Sequence, residues 1–512
     1  MSGNNNTAKK LTLVPLILMI FTSVFGFTNM PRAYYLMGYA AIPWYIISAV
    51  VFFIPYAFMM AEYGASFKNE TGGMYSWMEK SIGGKFAFIG TFMWYASYVV
   101  WMVNVASSIW IPFSNFIMGA DKTASWSLFG LGSTQTLGLL GILLVLVVTF
   151  VASKGVEKIT KITSIGGTAI LALNFVLLFG GLFVLIANGG DFAEPLTNAK
   201  QAFLQSPNPS YGTPITTLSF LVFAIFAFGG LEVLGGLVDQ TENAEKTFPK
   251  GLGIAALVIS VGYAIGIFAC GMFTNWNEIL SSDTVHMGNV AYVVVQNLGF
   301  QIGQGLHLSQ SAAITMGEWF ARFAGLSMFA ALTGAFFTLA YSPLKTLIQG
   351  SPKEIWPGKM GEIKNGMPLN AMKVQAIIVS VMIAGISLGG DGAKEFFTLL
   401  VLMTNVALTI PYMFLSAAFP AFKKKQLAGK LETPFMVYKS QKLSTIIAII
   451  VTVFIGFANI FTIIEPALGG DMFKTIMMAA GPIVFGSIAL ILYTIYEKKH
   501  LNKKDTKQKI GA

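Results

Sequence analysis

Cysteine, histidine and charge are all scarce in this chain. Its 512 residues hold one cysteine, Cys270. It falls inside an apolar run, which excludes a disulfide framework and a cysteine-rich metal site. The three histidines, His286, His307 and His500, lie in connecting stretches and the tail without metal-ligand spacing. No P-loop, zinc motif, phosphorylation-type site, Ser/His/Asp or HExxH-like constellation is present, so neither an enzyme nor an ATP-driven machine is expected, and no cofactor is called for. Charged residues make up 11%, less than half the rough quarter of a soluble protein. No soluble domain and no low-complexity segment is visible. The longest non-apolar stretches are 189–213, 275–317 and 349–369, and the second has room for short helices lying over one face.

What the chain has instead is apolar runs. Twelve are long enough to be spanning candidates, at 11–38, 41–64, 86–118, 136–153, 162–188, 214–238, 251–274, 318–348, 370–390, 396–420, 443–465 and 474–496. A spanning helix needs about 20 apolar residues. Barrel strands alternate apolar and polar residues, and these runs do not. Lys9 and Lys10 before the first run resemble a signal peptide, but the run is too long and lacks a small-residue cleavage site. It reads as a first membrane helix, and the expectation is an all-α integral membrane protein.

The net charge of +10 invites a nucleic-acid reading, which its distribution opposes. Across the expected spans, 27 of the 33 Lys and Arg residues fall on one side and 6 on the other. The rich side holds both termini, so these are expected in the cytoplasm. The "FKKKQ" run at 422–426 and the Lys-rich tail at 498–509 then lie beside the inner leaflet, where anionic lipid is the natural contact. Glu62 and Lys345, near inner ends, are expected at the interface.

Two runs are interrupted. In "FTSVFGFTNMPRAYYLMG" (21–38), Gly26 disfavours continuing the helix, Thr28 or Asn29 can cap a new one, and Pro31 suits its first turn. The sixth run breaks similarly at Gly229–Gly230, since glycine costs about 1 kcal/mol against alanine in a helix interior. Broken spans five apart point to an inverted repeat with a site at mid-membrane. A break frees amides at one helix end and carbonyls at the other. The first suit a carboxylate, the second an ammonium, and together they match the backbone of an amino acid. The expected contacts are Gly26, Phe27, Thr28 and Asn29 for the carboxylate and Ala227, Phe228, Gly229 and Gly230 for the ammonium. Phe228, Tyr98, Trp101 and Tyr341 are candidate walls or gates.

Glu232 costs about 2.5–3.5 kcal/mol at the centre of a span. It is read as a proton carrier, a pH sensor, an organiser of the break, or a protonated brace. Arg32 and Arg322 either snorkel to the outer surface or, for Arg32, attract anionic substrates. Asp239, Glu242 and Glu245 form an acidic loop, with Glu242 and Glu245 expected to pair in a gating step with Lys246, Lys250 or the "SKGVEKITK" loop (153–161).

"FGGLEVLGGLVDQTENAEKTFPKG" (228–251), "AEYGASFKNETGGMYSWMEKSIGGKFAFIGTFMW" (61–94) and the first-run break together resemble the amino acid–polyamine–organocation superfamily of secondary transporters. "GFTNMP" departs from the Gly-small-Gly-Ile pattern common there. "TGAFFTLAYSPLKTLIQGSPKEIWP" (333–357) is similar to the glutamate/GABA antiporter-like branch and to bacterial inner-membrane amino-acid permeases near it. The resemblance implies one polytopic domain of LeuT type: a five-helix repeat at 11–188, a second at 214–420, two further helices at 443–496 and a cytoplasmic tail at 497–512. It implies an antiporter or proton-coupled symporter for an amino acid or amine, with a polyamine permease or a non-transporting amino-acid sensor as alternatives. Glu232 matches the acid that follows the sixth-helix break in that superfamily.

Overall fold

The computed structural model describes residues 11–510 apart from 68–69, 71–72, 154–158, 197, 232–240, 365, 389–391 and 433–434. The described chain is helical throughout, with two isolated bridges, Leu11 to Thr241 and Lys364 to Met367, as its sole extended pairings among the described residues.

The helices follow the apolar runs. α1 (Leu13–Val24) stops, and α2 (Asn29–Met37) starts afresh with Pro31 in its first turn. The 12 residues of α1 rise about 18 Å, against a hydrocarbon core of about 30 Å, so α1 ends part-way through a membrane. α3 (Ala41–Ser48) and α4 (Ile54–Ser66) form one rod joined by a π-helical turn at Ala49–Phe53. Pro55 explains that turn: it offers no N–H to the carbonyl one turn back and its ring crowds it, so the ladder widens there.

α5 (Gly73–Ile82) leads into α6 (Gly84–Ser108), α7 (Trp110–Met118), α8 (Ser133–Ala152) and α9 (Ile159–Ala187). A connector holding the short α10 (Ala199–Leu204) reaches α11 (Pro214–Ser219) and α12 (Leu221–Ala227), where the helix of the sixth run ends just before Gly229–Gly230; the stretch in which it is expected to resume lies outside the described residues. Then follow α13 (Ala244–Phe273), α14 (Val290–Gly305), α15 (Gln310–Leu339), α16 (Ser342–Gly350), α17 (Leu369–Leu388), α18 (Ala393–Leu427), α19 (Gln441–Leu468) and α20 (Met472–Ile510). α14 fills most of the polar stretch 289–317 and packs on α15 and α9.

Ten helical stretches among the described residues are long and apolar enough to cross a membrane. Two more apolar stretches, Leu13–Val24 and Pro214–Ala227, are shorter and are the ones that end at the breaks. Burial sorts the ten: 83% of the apolar window in Gly84–Met118 is buried, but 28% in Thr168–Ala187 and 17% in Met472–Lys499. α6 is therefore central, and α9 and α20 are peripheral. Their outer faces show bare apolar side chains such as Phe175, Phe179, Ile186 and Ile483, which suits a lipid surround.

The connectors seal the end of α2. Its last carbonyls would lack partners, and side chains supply them. Trp276 Nε1 donates to Tyr35 O (2.8 Å), Asn208 Nδ2 to the same oxygen (3.3 Å), and Ser206 Oγ to Leu36 O (3.0 Å). In return Tyr34 and Tyr35 donate their hydroxyls to Thr274 O (2.8 Å) and Val285 O (3.1 Å).

Candidate functional site

The two breaks face each other across one hydroxyl. Tyr263 of α13 is fully buried. Its Oη lies 2.9 Å from Val24 O, the end of α1, and 2.8 Å from Ala227 O, the end of α12. The same oxygen accepts from Gly26 N at 2.9 Å and Asn29 Nδ2 at 3.1 Å. A phenol has one proton and two lone pairs. The two N–H donors fill the lone pairs, so the single proton serves one of the two carbonyls at a time. The helix restarts with Asn29 N donating to Gly26 O (3.1 Å) and Arg32 N to Thr28 O (3.2 Å). Among the described residues, nothing accepts from the amides of Phe27 or Thr28. Gly26, Thr28, Asn29, Gly229 and Gly230 are partly accessible, while Phe27, Ala227 and Phe228 are buried.

Tight contacts explain the glycine pair. A Cβ on Gly229 would sit 2.3 Å from Tyr412 Oη and 3.1 Å from Phe226 O. Gly230 has φ +103°, a conformation that side chains disfavour, and its amide donates to Tyr412 Oη at 3.2 Å. A Cβ there would lie 3.0 Å from Ser23 O, so the second break presses on the end of α1.

Phe228 is walled by rings. It stacks on Phe53 (centroids 4.6 Å apart) and meets Tyr263 at 5.4 Å and Tyr45 at 5.9 Å. The π-helical turn sets two consecutive rings to work, Phe53 on Phe228 and Phe52 on Tyr412 (5.6 Å). Tyr45, Phe53, Tyr263 and Tyr412 are absent from the sequence-based candidates. The signal for the tyrosines was available: a phenol inside an apolar span must find a hydrogen-bond partner.

The remaining candidates have the neighbours that follow or lie outside the described residues. Tyr98 meets Trp94 on its own helix (5.2 Å), and Trp101 meets Phe336 of α15 (6.0 Å). Tyr341 is half-buried where α16 begins. Glu232 and Asp239 lie outside the described residues, as does most of the 153–161 loop. Glu242 and Glu245 are exposed at the start of α13, where Glu242 N donates to Leu11 O (2.9 Å). Arg32 donates Nε to Met287 O at 2.9 Å. Arg322 Nη1 donates to Phe116 O (3.3 Å) and Ile117 O at the C-terminal end of α7, where a cation is favoured.

Two charges expected at the interface are buried. Glu62 of α4 and Lys423 of α18 both have 0% exposure, and Lys423 Nζ is 2.6 Å from Glu62 Oε2. Glu62 Oε1 accepts the amides of Val437 and Tyr438, each at 2.8 Å. Lys423 also donates to Gln426 Oε1 (2.6 Å), and Gln426 Nε2 to Ser66 Oγ (3.2 Å). So Lys423 is not a lipid-facing residue. Lys424 is exposed and Lys425 half-exposed.

At the opposite end, Asn289 Nδ2 donates to Asp121 Oδ2 (3.1 Å), and His286 Nε2 lies 3.7 Å from that oxygen. His286 Nδ1 accepts from Gly288 N (3.2 Å), which leaves the proton on Nε2, and the ring stacks on Phe397. Burial depresses the imidazole below its ordinary range, and Asp121 opposes that shift. Burial raises Glu194, while the Trp276 amide (2.7 Å) works against it.

Comparison with known proteins is consistent with these features. The sequence pattern of the family described as "Amino acid permease" matches residues 11–485. The "Inner membrane transporter YjeM" of Salmonella typhimurium (strain LT2) is 52% identical over 96% of this chain and 98% of its own length. The protein of the same name from Escherichia coli (strain K12) is 51% identical, covering 96% and 97%. The "Aspartate/glutamate permease AcaP" of Lactococcus lactis subsp. cremoris is 25% identical, covering 93% and 90%.

Proposed function

The chain belongs to the amino acid permease family, and we propose that it is a secondary transporter that moves an amino acid or related amine by alternating access. The paired breaks carry this reading. Two carbonyls, Val24 O and Ala227 O, compete for the one proton of Tyr263. An ammonium brings protons of its own and can take one carbonyl, which leaves the Tyr263 proton to the other. The amides of Phe27 and Thr28, at the entry to α2, suit the carboxylate. Phe228, Phe53 and Tyr45 then form the wall on which a side chain rests.

The architecture proposed is twelve spans in two inverted five-helix repeats of LeuT type, at 11–188 and 214–420, with α19 and α20 added and both termini cytoplasmic. α1 with α2 and α12 with its continuation are the discontinuous pair, five spans apart. Glu232, just past the second break, is the proposed proton-linked group. Tyr98, Trp101 and Tyr341 are proposed as walls or gates, and Glu242 and Glu245 as residues that pair with basic groups in one state of the cycle.

Competition binding to the purified protein tests the reading. Radiolabelled glutamate, γ-aminobutyrate and leucine are the probes, with N-acetyl and methyl-ester forms of each as competitors. Each modification removes one charge, and each is expected to weaken binding at least about tenfold, the loss of one charge-assisted hydrogen bond. N-acetylated competitors that bind as well as the parent contradict the placement of the ammonium.

A further inference from the structure

The tyrosine hydroxyls at the breaks bear on how the carrier returns. A broken helix in a membrane has backbone groups without helical partners, and such groups are tolerated only when buried in protein or facing water. Here side chains of neighbouring helices take several of them. Tyr263 Oη holds Gly26 N and Asn29 Nδ2 and serves Val24 O or Ala227 O. Tyr412 Oη holds Gly230 N. The breaks are thus bonded from α13 and α18 as well as by the chain itself.

We propose that Tyr263, assisted by Tyr412, allows the carrier to reorient without substrate, so that the protein performs net transport as well as exchange. This rests on the reading above, in which the breaks form the substrate site of a transporter. A carrier whose break groups found partners only in the substrate would stay open to water until another substrate arrived, and would be an obligate exchanger. In this chain the Tyr263 hydroxyl takes the place of the ammonium on Ala227 O when substrate leaves. The break can then close with the Gly26 amide and the Ala227 carbonyl both paired. When substrate returns, the ammonium displaces that proton, and the hydroxyl can turn to Val24 O only 2.9 Å away. Tyr263 is a positioning residue in this scheme.

The test uses the full chain in proteoliposomes preloaded with radiolabelled glutamate, γ-aminobutyrate or leucine. Release is followed into buffer alone and into buffer holding the same unlabelled compound. For the wild type, release into plain buffer is expected within about tenfold of the exchange rate, because Tyr263 and Tyr412 keep several of the break groups paired. Tyr263→Phe removes the hydroxyl and is expected to slow release into plain buffer about tenfold more than it slows exchange. Tyr412→Phe is expected to shift the ratio the same way by less, and carries the residue test if Tyr263→Phe yields no folded protein. Wild-type release into plain buffer below about a hundredth of exchange overturns the inference and leaves the transporter reading standing. Equal slowing of both rates in the tyrosine variants overturns their role. Absence of both release and exchange with every probe removes the transporter reading, and this inference with it.

Discussion

Lys423 Nζ lies 2.6 Å from Glu62 Oε2, and neither side chain has any exposed surface. The pair joins α4 to α18, while Glu62 Oε1 ties in the chain at Val437 and Tyr438. Removing one partner of a buried pair strands the other charge and costs about 3–5 kcal/mol, whereas replacing both costs much less. Lys423→Met is therefore expected to lower the thermal midpoint of the solubilised protein sharply. Glu62→Gln with Lys423→Met should recover much of the loss. A Lys423→Met protein within about 0.5 kcal/mol of wild type, the range of an ordinary surface change, contradicts the pairing.

Gly229 and Gly26 should differ under the same substitution. A Cβ at Gly229 meets Tyr412 Oη at 2.3 Å and the Phe226 carbonyl, whereas at Gly26 its nearest neighbour is the movable Asn29 Nδ2 at 2.9 Å. Gly229→Ala is expected to reduce amino-acid binding at least about tenfold and Gly26→Ala less than that, since only the first must displace backbone or a bonded hydroxyl. Titration of labelled ligand against both variants decides. Equal affinities contradict the close approach of Tyr412.

His286 sets a pH dependence whose sign follows from its depressed pKa. The unfolded chain takes up a proton below about pH 6.5, while the folded chain, with its imidazole buried, does not until lower pH. The unfolded state then binds more protons, so stability is full above about 6.5 and falls as pH drops below it. Thermal unfolding from pH 8 to 5 is expected to show a declining midpoint at the acid end that His286→Gln flattens. An identical profile in the variant places the titrating group elsewhere.

Cys270 offers a probe of the packing of α13. It is the chain's one cysteine and is buried. A maleimide reagent should leave the native protein unmodified and label one thiol per chain after denaturation, because a thiolate must be reached to react. Full labelling of the native protein contradicts the buried placement.

The breaks were legible in the sequence because their causes are local. Gly26 followed by Thr28, Asn29 and Pro31 marks a stop and a start within six residues, and the adjacent pair Gly229–Gly230 weakens the helical ladder of an apolar run. What the breaks bond to was not legible. Tyr263 reaches Gly26 across 237 positions and Tyr412 reaches Gly230 across 182, and no periodicity encodes such pairs. Lys423 was misread for a different reason. Consecutive residues on a helix point about 100° apart, so the three lysines at 423–425 cannot all face lipid headgroups. The charge run concealed the one that turns inward to Glu62.

Passage of amino acids or amines across a membrane through the paired breaks is the activity proposed for this chain. Counterflow in proteoliposomes tests it most directly. Vesicles preloaded in turn with unlabelled glutamate, γ-aminobutyrate and neutral amino acids are offered a trace of the labelled compound, with and without a pH gradient. The account predicts labelled uptake that overshoots equilibrium, saturates with concentration, depends on the internal amino acid, and is lost in Gly229→Leu. Binding of the same compounds by folded protein without flux under any loading contradicts it, and identifies a sensor instead of a carrier.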